Sequence, residues 1–260
     1  MQTFLPLPSF TRSLLTLDKA RLKKQVVEAK QLLTVFYKDQ VKQVDRLPSW
    51  HKEYQEKIGW RFHPAYKMWK AYPFALITYF NVALLIAESK GIHFDPRKIS
   101  PILDPLDWQI FLPTYRPNES DKLKALQHLS TKLFLEERKI LLPRWLGHHK
   151  VHITHMSNLL RKEPQFYTRM FGIQIPTNLE YLWPDEVDFQ FHFRAKATTE
   201  AKERTLKAFY TVEMTKHFEA IEAFGNSCGE SSIPSFYSGV DETINYADLM
   251  VQLQGGAPII

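Results

Sequence analysis

The sequence predicts a mainly α-helical protein, with a compact helical core over residues 1–186 and an appendage of unassigned fold over 187–260. Three observations predict it. Long segments carry apolar residues at spacings of three and four, strand-type alternation is scarce, and the chain changes character after Asp185. With 260 residues, 44% hydrophobic and 24% charged, the composition is near the globular average, which excludes collagen-like, mucin-like and wholly disordered readings. The single cysteine, Cys228, excludes an internal disulfide and a Cys-rich zinc site. A reducing compartment is therefore expected: cytoplasmic in a prokaryote or virus, nuclear in a eukaryote. The best apolar run, Phe74 to Ala87, is shorter than the roughly 20 residues a membrane span needs, so no membrane partner is expected. The opening MQTFLPLPSF has no early basic region and carries prolines where a signal peptide is apolar and helical.

Taken in order, the first ten residues are apolar, proline-broken and extended. From Ser13 to about Val44, Leu22, Val26, Ala29, Leu33 and Phe36 recur at helical spacing and form one buried stripe. At about 100° per residue, Arg21, Lys24 and Glu28 share another face, one the core does not use. Leu47, Pro48 and Ser49 end the pattern. An aromatic, basic segment follows, with Trp50, His51, Tyr54, Trp60, Arg61, Phe62 and His63. A second helix is expected from Pro64 to Lys90, stopping at Gly91, with Pro73 as a kink or a boundary between two helices. Pro96, Pro101, Pro105, Pro113 and Pro117 make residues 92–120 a long loop, part of an insertion over 92–142. A helix from Asp121 to Leu141, PRWLG at Pro143 to Gly147, a His-rich helix from Lys150 to Lys162 and PQFY at Pro164 to Tyr167 follow. In the appendage, FQFHF (Phe189 to Phe193) alternates like a strand and Thr199 to Phe224 reads as a helix before a Gly/Ser/Pro-rich tail.

Charge separates the two parts. Residues 1–186 hold 28 Lys and Arg against 18 Asp and Glu; residues 187–260 hold 6 against 10. A basic body with 13% aromatic residues is the footprint of a polyanion binder, and equally of lysines solvated on helix faces. The acidity of 187–260 leaves a protein partner for that segment open.

Several catalytic patterns are missing: Walker loop, Gly-x-Gly-x-x-Gly, Gly-x-Ser-x-Gly and His-Glu-x-x-His. The His cluster of His148, His149, His152 and His155 places three rings on roughly one helix face, as metal ligands could be. No nearby acid or cysteine completes the set, and Lys150, Arg161 and Lys162 oppose a cation, so phosphate or base contacts are the preferred reading and no metal or other cofactor is expected. Glu28, on spacing alone, is a salt-bridge partner for its basic neighbours, worth about 0.3–0.5 kcal/mol.

Taken in order, MQTFLP, LDKARLKKQVVEAKQLL, GWRFHPAYKMWKAYPFAL, PRWLG and HITHMSNLLRKEPQFY resemble the pyrimidine-dimer DNA glycosylases, the phage endonuclease V-like family with its bacterial and viral relatives. The resemblance covers roughly residues 1–186, poorly over 92–142, and nothing after Asp185. It implies a compact helical fold that acts on double-stranded DNA with a damaged or abasic site. Such enzymes release a damaged pyrimidine and cleave the strand by β-elimination, through an imine between an N-terminal α-amine and sugar C1′. An α-amine of pKa near 7.7–8.0 is partly uncharged at neutral pH, and a carboxylate facing C1′ stabilises positive charge and moves protons.

By that resemblance Glu28 is the catalytic glutamate, Met1 or Gln2 supplies the amine, and Arg21 and His155 contact DNA. Phe166, Tyr167, Phe171 and Gly172 fall on the family's C-terminal aromatic segment. Lys24, Arg61, His63, Lys67, Lys70, His152, Arg161 and Lys162 are the wider candidates for DNA contact, on charge and motif membership. Gln2 stands where the family has a small second residue. Three routes stay open: a Met1 amine, a Gln2 amine after processing, or water guided by Glu28. Another base lesion as substrate stays open too. The rivals from other classes are a non-catalytic nucleic-acid-binding protein and a metal-dependent nuclease built on the His148–His155 cluster.

Overall fold

The computed structural model describes residues 2–43, 59–103, 139–140, 143–171, 175–184, 191–211 and 244–245. Within them the protein is mainly helical. The elements are α1 (Phe10–Leu15), α2 (Lys19–Gln43), α3 (Pro64–Trp69), α4 (Pro73–Ser89), β1 (Lys139–Ile140), α5 (His149–Lys162), α6 (Pro164–Phe171), β2 (Leu182–Pro184), β3 (Phe191–Phe193), α7 (Thr199–Thr211) and β4 (Ile244–Asn245). They fall into two compact units. The first comprises Met1–Thr3, Arg21–Pro143 and Thr243–Ala257; the second comprises Phe4–Ala20, Arg144–Glu242 and Pro258–Ile260.

The first unit is built around α4, whose residues are buried almost all round, as its near-continuous apolar sequence requires. Pro73 at its first turn makes a boundary: α3 ends at Trp69 and a new helix begins. The helix stops at Lys90 because Gly91 takes φ +71°, and the N–H of Ile92 returns to the carbonyl of Ala87 at 2.8 Å. Buried Asn81 fixes the next loop, donating to Ile102 O at 3.0 Å and accepting from Ile102 N at 2.9 Å. The apolar stripe of α2 is buried as expected at Leu22, Val26, Ala29, Leu33 and Phe36. Burying each of its large side chains is worth about 1.5–3 kcal/mol. β1 and β4 pair antiparallel, Lys139 with Asn245 and Ile140 with Ile244.

The second unit is built around α5, in which every residue from Val151 to Leu160 is buried. It packs against α6, β2 and α7. Ser157 and Asn158 on α5 bind the backbone of the 175–184 segment, the Ser157 hydroxyl accepting from Leu179 N at 3.0 Å. β2 and β3 pair antiparallel with Trp183 opposite His192. Arg194 grips Glu180 with two bonds of 3.1 and 3.0 Å, and Thr205 of α7 accepts from Glu180 N at 3.0 Å.

Two sequence expectations are corrected. The first helix does not start at Ser13 and run unbroken: α1 ends at Leu15, and α2 starts after Asp18, whose carboxylate accepts from Ala20 N at 2.9 Å. Lys139 and Ile140 form a strand where a helix from Asp121 to Leu141 was expected; the rest of that segment lies outside the described residues. The continuation of α7 to Phe224 and the tail lie outside them as well, apart from β4. Among the described residues, no helix is long and apolar enough to cross a membrane.

Candidate active site

Glu28 sits in the third turn of α2. The sequence placed it on a face the core does not use, but it is only 6% exposed. The chain's own first residues lie over that face. Gln2 N–H donates to Glu28 Oε2 at 3.0 Å, and Lys24, one turn earlier, holds its Nζ 3.7 Å from Oε1. A buried carboxylate needs such partners, and a charged acceptor makes the Gln2 bond stronger than a neutral one.

The surroundings of this pair come from α3 and α4. Trp69 donates from Nε1 to Thr3 Oγ1 at 2.8 Å, tying down the residue after Gln2. The Trp69 ring lies 5.6 Å from that of Tyr79, whose hydroxyl donates to Gln25 Oε1 at 2.8 Å. Burial, and then the negative charge of Glu28, push the Tyr79 hydroxyl well above its ordinary pKa, so it stays a neutral donor. Gln25 precedes Glu28 by three residues and shares its side of α2.

His63 caps α3 by accepting from Ala65 N at Nδ1, at 3.0 Å. Its pKa falls to about 4, through burial first and the positive charge of the chain's first amine second. A neutral ring that accepts at Nδ1 carries its hydrogen on Nε2. Asp39, three helical turns beyond Glu28, is buried. Its Oδ1 lies 3.0 Å from Arg61 Nε, and its Oδ2 accepts from the Tyr66 hydroxyl at 2.9 Å. Lys67 is exposed; Arg21 and Lys70 are half-buried.

In the second unit the histidines turn inward. His152 donates from Nδ1 to Leu5 O at 2.7 Å and accepts from Gly147 N at Nε2, at 3.0 Å. His155 Nδ1 accepts from Leu5 N at 2.9 Å. Together they hold both backbone polar groups of Leu5. Burial drives His152 to about 4 and His155 to about 3, so both are neutral, as these bonds require. His148 and His149 stack on each other, with His148 also against Phe191. Among the described residues, no group of three or more His, Cys, Asp or Glu is arranged to hold a metal ion.

The remaining candidates divide by exposure. Arg161 and Lys162 are exposed, the first bonded to Asn158 and the second over the Phe4 ring. Phe166 is exposed, whereas Tyr167 is buried and its hydroxyl donates to Asp18 Oδ2 at 2.7 Å. Phe171 is buried and stacks on Tyr167. Met1 and Gly172 lie outside the described residues.

Thus the first unit brings Glu28, Gln2 and Lys24 together, and His152 and His155 meet at Leu5 in the second. Sequence reasoning missed Thr3, Gln25, Asp39, Trp69 and Tyr79. Gln25 and Asp39 had a signal, since offsets of three and eleven residues bring them to the Glu28 side of a helix. Tyr79 had none, being one apolar-helix residue among many.

No curated protein and no solved structure matches the chain. A family model does, described as pyrimidine dimer DNA glycosylase, over residues 1–100. That span holds Gln2, Glu28, Arg61, His63, Lys67 and Lys70, and ends before the His-rich helix. Over residues 1–100 the chain is similar to the pyrimidine dimer DNA glycosylase family.

Proposed function

We propose that the protein removes damaged pyrimidines from duplex DNA and then cleaves the strand at the resulting abasic site. The observation that carries this reading is the bond from Gln2 N to Glu28 Oε2, the start of the chain held against a buried carboxylate. An α-amine at that start attacks C1′ of the damaged nucleotide. The C1′–N bond breaks and the base nitrogen takes the electron pair and a proton; in a dimer the freed base stays tethered to its 3′ neighbour. Ring opening and loss of the amine proton give an imine. Removal of a C2′ proton then expels the 3′ phosphate by β-elimination, and water releases the enzyme.

Glu28 has two tasks in this scheme. Its negative charge stabilises the cation that develops at C1′, and its oxygens pass protons between amine, sugar and leaving groups. Lys24, Arg21, Lys67 and Lys70 hold phosphates, and so do Arg61, Arg161 and Lys162 where their other contacts leave N–H groups to spare. His63, neutral with Nε2–H, donates to DNA without adding charge. Exposed Phe166 retains the place on the damaged strand that the family resemblance gives it, with buried Tyr167 packed edge-on against it. His152 and His155 act one step back from DNA, by anchoring Leu5.

The test is a duplex carrying one cyclobutane pyrimidine dimer, with cleavage of the 5′ glycosyl bond (read as free base after photoreversal of the dimer) and strand scission followed separately. Wild type is expected to give both, and Glu28→Gln neither. Tight, salt-sensitive binding with no release or scission on dimer or abasic duplex would leave a DNA-binding protein without the chemistry. Scission abolished by chelator would favour a metal-dependent nuclease.

A further inference from the structure

Two large aromatic side chains of the first unit are exposed. Trp60 is 54% exposed and Phe62 is 81% exposed. They flank Arg61 on the turn that leads into α3. Among the described residues, Trp60 is the non-glycine residue with a positive φ, +72°, a conformation that bulky side chains resist. A glycine would relieve that strain, and a polar residue at position 62 would avoid exposing an aromatic ring. Strain held at an exposed position is a mark of function rather than packing.

The turn is nevertheless rigid. His63 N–H donates to Trp60 O at 2.9 Å, and the Trp60 and His63 rings meet edge-on at 5.1 Å. Buried Asp39 holds Arg61 within the turn and Tyr66 just after it. Arg61, Lys67 and Lys70 supply three cations between residues 59 and 87, and that stretch contains no acid. A stiff aromatic tip on a basic base is complementary to a nucleic-acid duplex, with phosphates for the cations and base faces for the rings. The tip is also tied, through Arg61 and Asp39, to α2, the helix that carries Glu28.

We propose that the Trp60–Phe62 tip is a wedge that enters the base stack of duplex DNA at the lesion and fills the space left when the damaged nucleotide unstacks. This rests on the reading of the protein as a DNA glycosylase and names a part that makes the target accessible. The wedge lowers the cost of taking a paired nucleotide out of the helix, so it matters most where the lesion is still stacked.

The test uses the full chain and a duplex with a cyclobutane pyrimidine dimer and 2-aminopurine as its neighbour. Wild-type binding is expected to raise 2-aminopurine fluorescence, because the probe loses its stacking partner to the tip. Phe62→Ala and Trp60→Gly should lose most of that rise and bind the paired duplex about ten-fold more weakly. The loss should shrink on a bubble in which the site is already unpaired. Trp60→Gly should melt no lower than wild type, which separates a lost wedge from a lost fold. Wild-type binding without a fluorescence rise, or variants that keep the full rise, would overturn the wedge, including in favour of a protein partner for the tip. A tip-dependent rise without glycosyl-bond cleavage would uphold the wedge and reject the glycosylase reading. Glycosyl-bond cleavage with no tip-dependent rise would do the reverse.

Discussion

The backbone N–H of Gln2 donates to Oε2 of Glu28 at 3.0 Å, joining the second residue of the chain to the third turn of its longest described helix. The bond spans 26 residues and lies in a buried setting. It gives a carboxylate on α2 a reason to be buried, and it limits how far the start of the chain can move from that carboxylate. Thr3 bonded to Trp69 reinforces the same segment one residue later.

Glu28→Gln keeps an oxygen to accept from Gln2 and removes the charge. Turnover on a dimer duplex is expected to fall by about 10²–10⁴-fold. DNA affinity should stay within a few-fold, since Glu28 is not among the cations proposed to hold phosphates. Single-turnover glycosyl-bond cleavage and a binding titration on the same duplex check both halves.

Trp69→Phe preserves the ring against Tyr79 and removes the donor to Thr3. We expect a loss of about 1 kcal/mol in unfolding free energy. The larger effect should be kinetic, with slower imine formation at unchanged DNA affinity, because the variant loosens the segment next to Gln2. Equal slowing of imine formation and weakening of binding would argue against that role.

The pH dependence of stability has a definite sign. His155 falls to about 3 and His152 to about 4, chiefly through burial, against an ordinary 6.5. Between those values the unfolded chain binds protons that the folded chain refuses. Their contribution is complete above about pH 6.5 and declines as pH drops through 4 and 3. Burial moves His63, His148 and His149 in the same direction. Chemical denaturation from pH 7 to 4 should therefore show steadily falling stability. His155→Ala should be less stable at pH 7 by about 1–3 kcal/mol, with Leu5 N–H left unmatched, and its pH slope should be shallower. An unchanged slope would contradict the assignment.

Lys67→Ala removes an exposed cation from α3. If Lys67 holds a phosphate, binding weakens alike on all sequences, and the slope of log K against log salt drops by about 1. Affinity measured from 50 to 200 mM salt on damaged and undamaged duplexes decides it. A loss confined to the damaged duplex would give Lys67 a different task.

Much of the helical framework was legible. The stripe Leu22, Val26, Ala29, Leu33 and Phe36, the boundary at Pro73 and the stop at Gly91 were each written in local periodicity or backbone preference. The break at Thr16–Asp18 was harder, because the apolar spacing continues through it and only the Asp18 cap marks the restart. Glu28 was legible as a candidate, but its burial was not. Helical spacing reports which residues share a face and is silent on a covering segment from elsewhere in the chain, here Gln2 and Thr3. The inward turn of His152 and His155 was hidden for a similar reason: their partner, Leu5, lies about 150 residues away in sequence. The interleaving of Met1–Thr3 with Arg21–Pro143 in one unit likewise has no compositional signature.

The central claim is imine chemistry at the start of the chain beside Glu28. Borohydride trapping on an abasic-site duplex, with mass mapping of the adduct, tests it most directly. One covalent adduct is expected on the α-amine of the first residue, Met1 or a processed Gln2, with its loss in Glu28→Gln. An adduct on a lysine side chain, or no adduct from a protein that binds the duplex tightly, would contradict it.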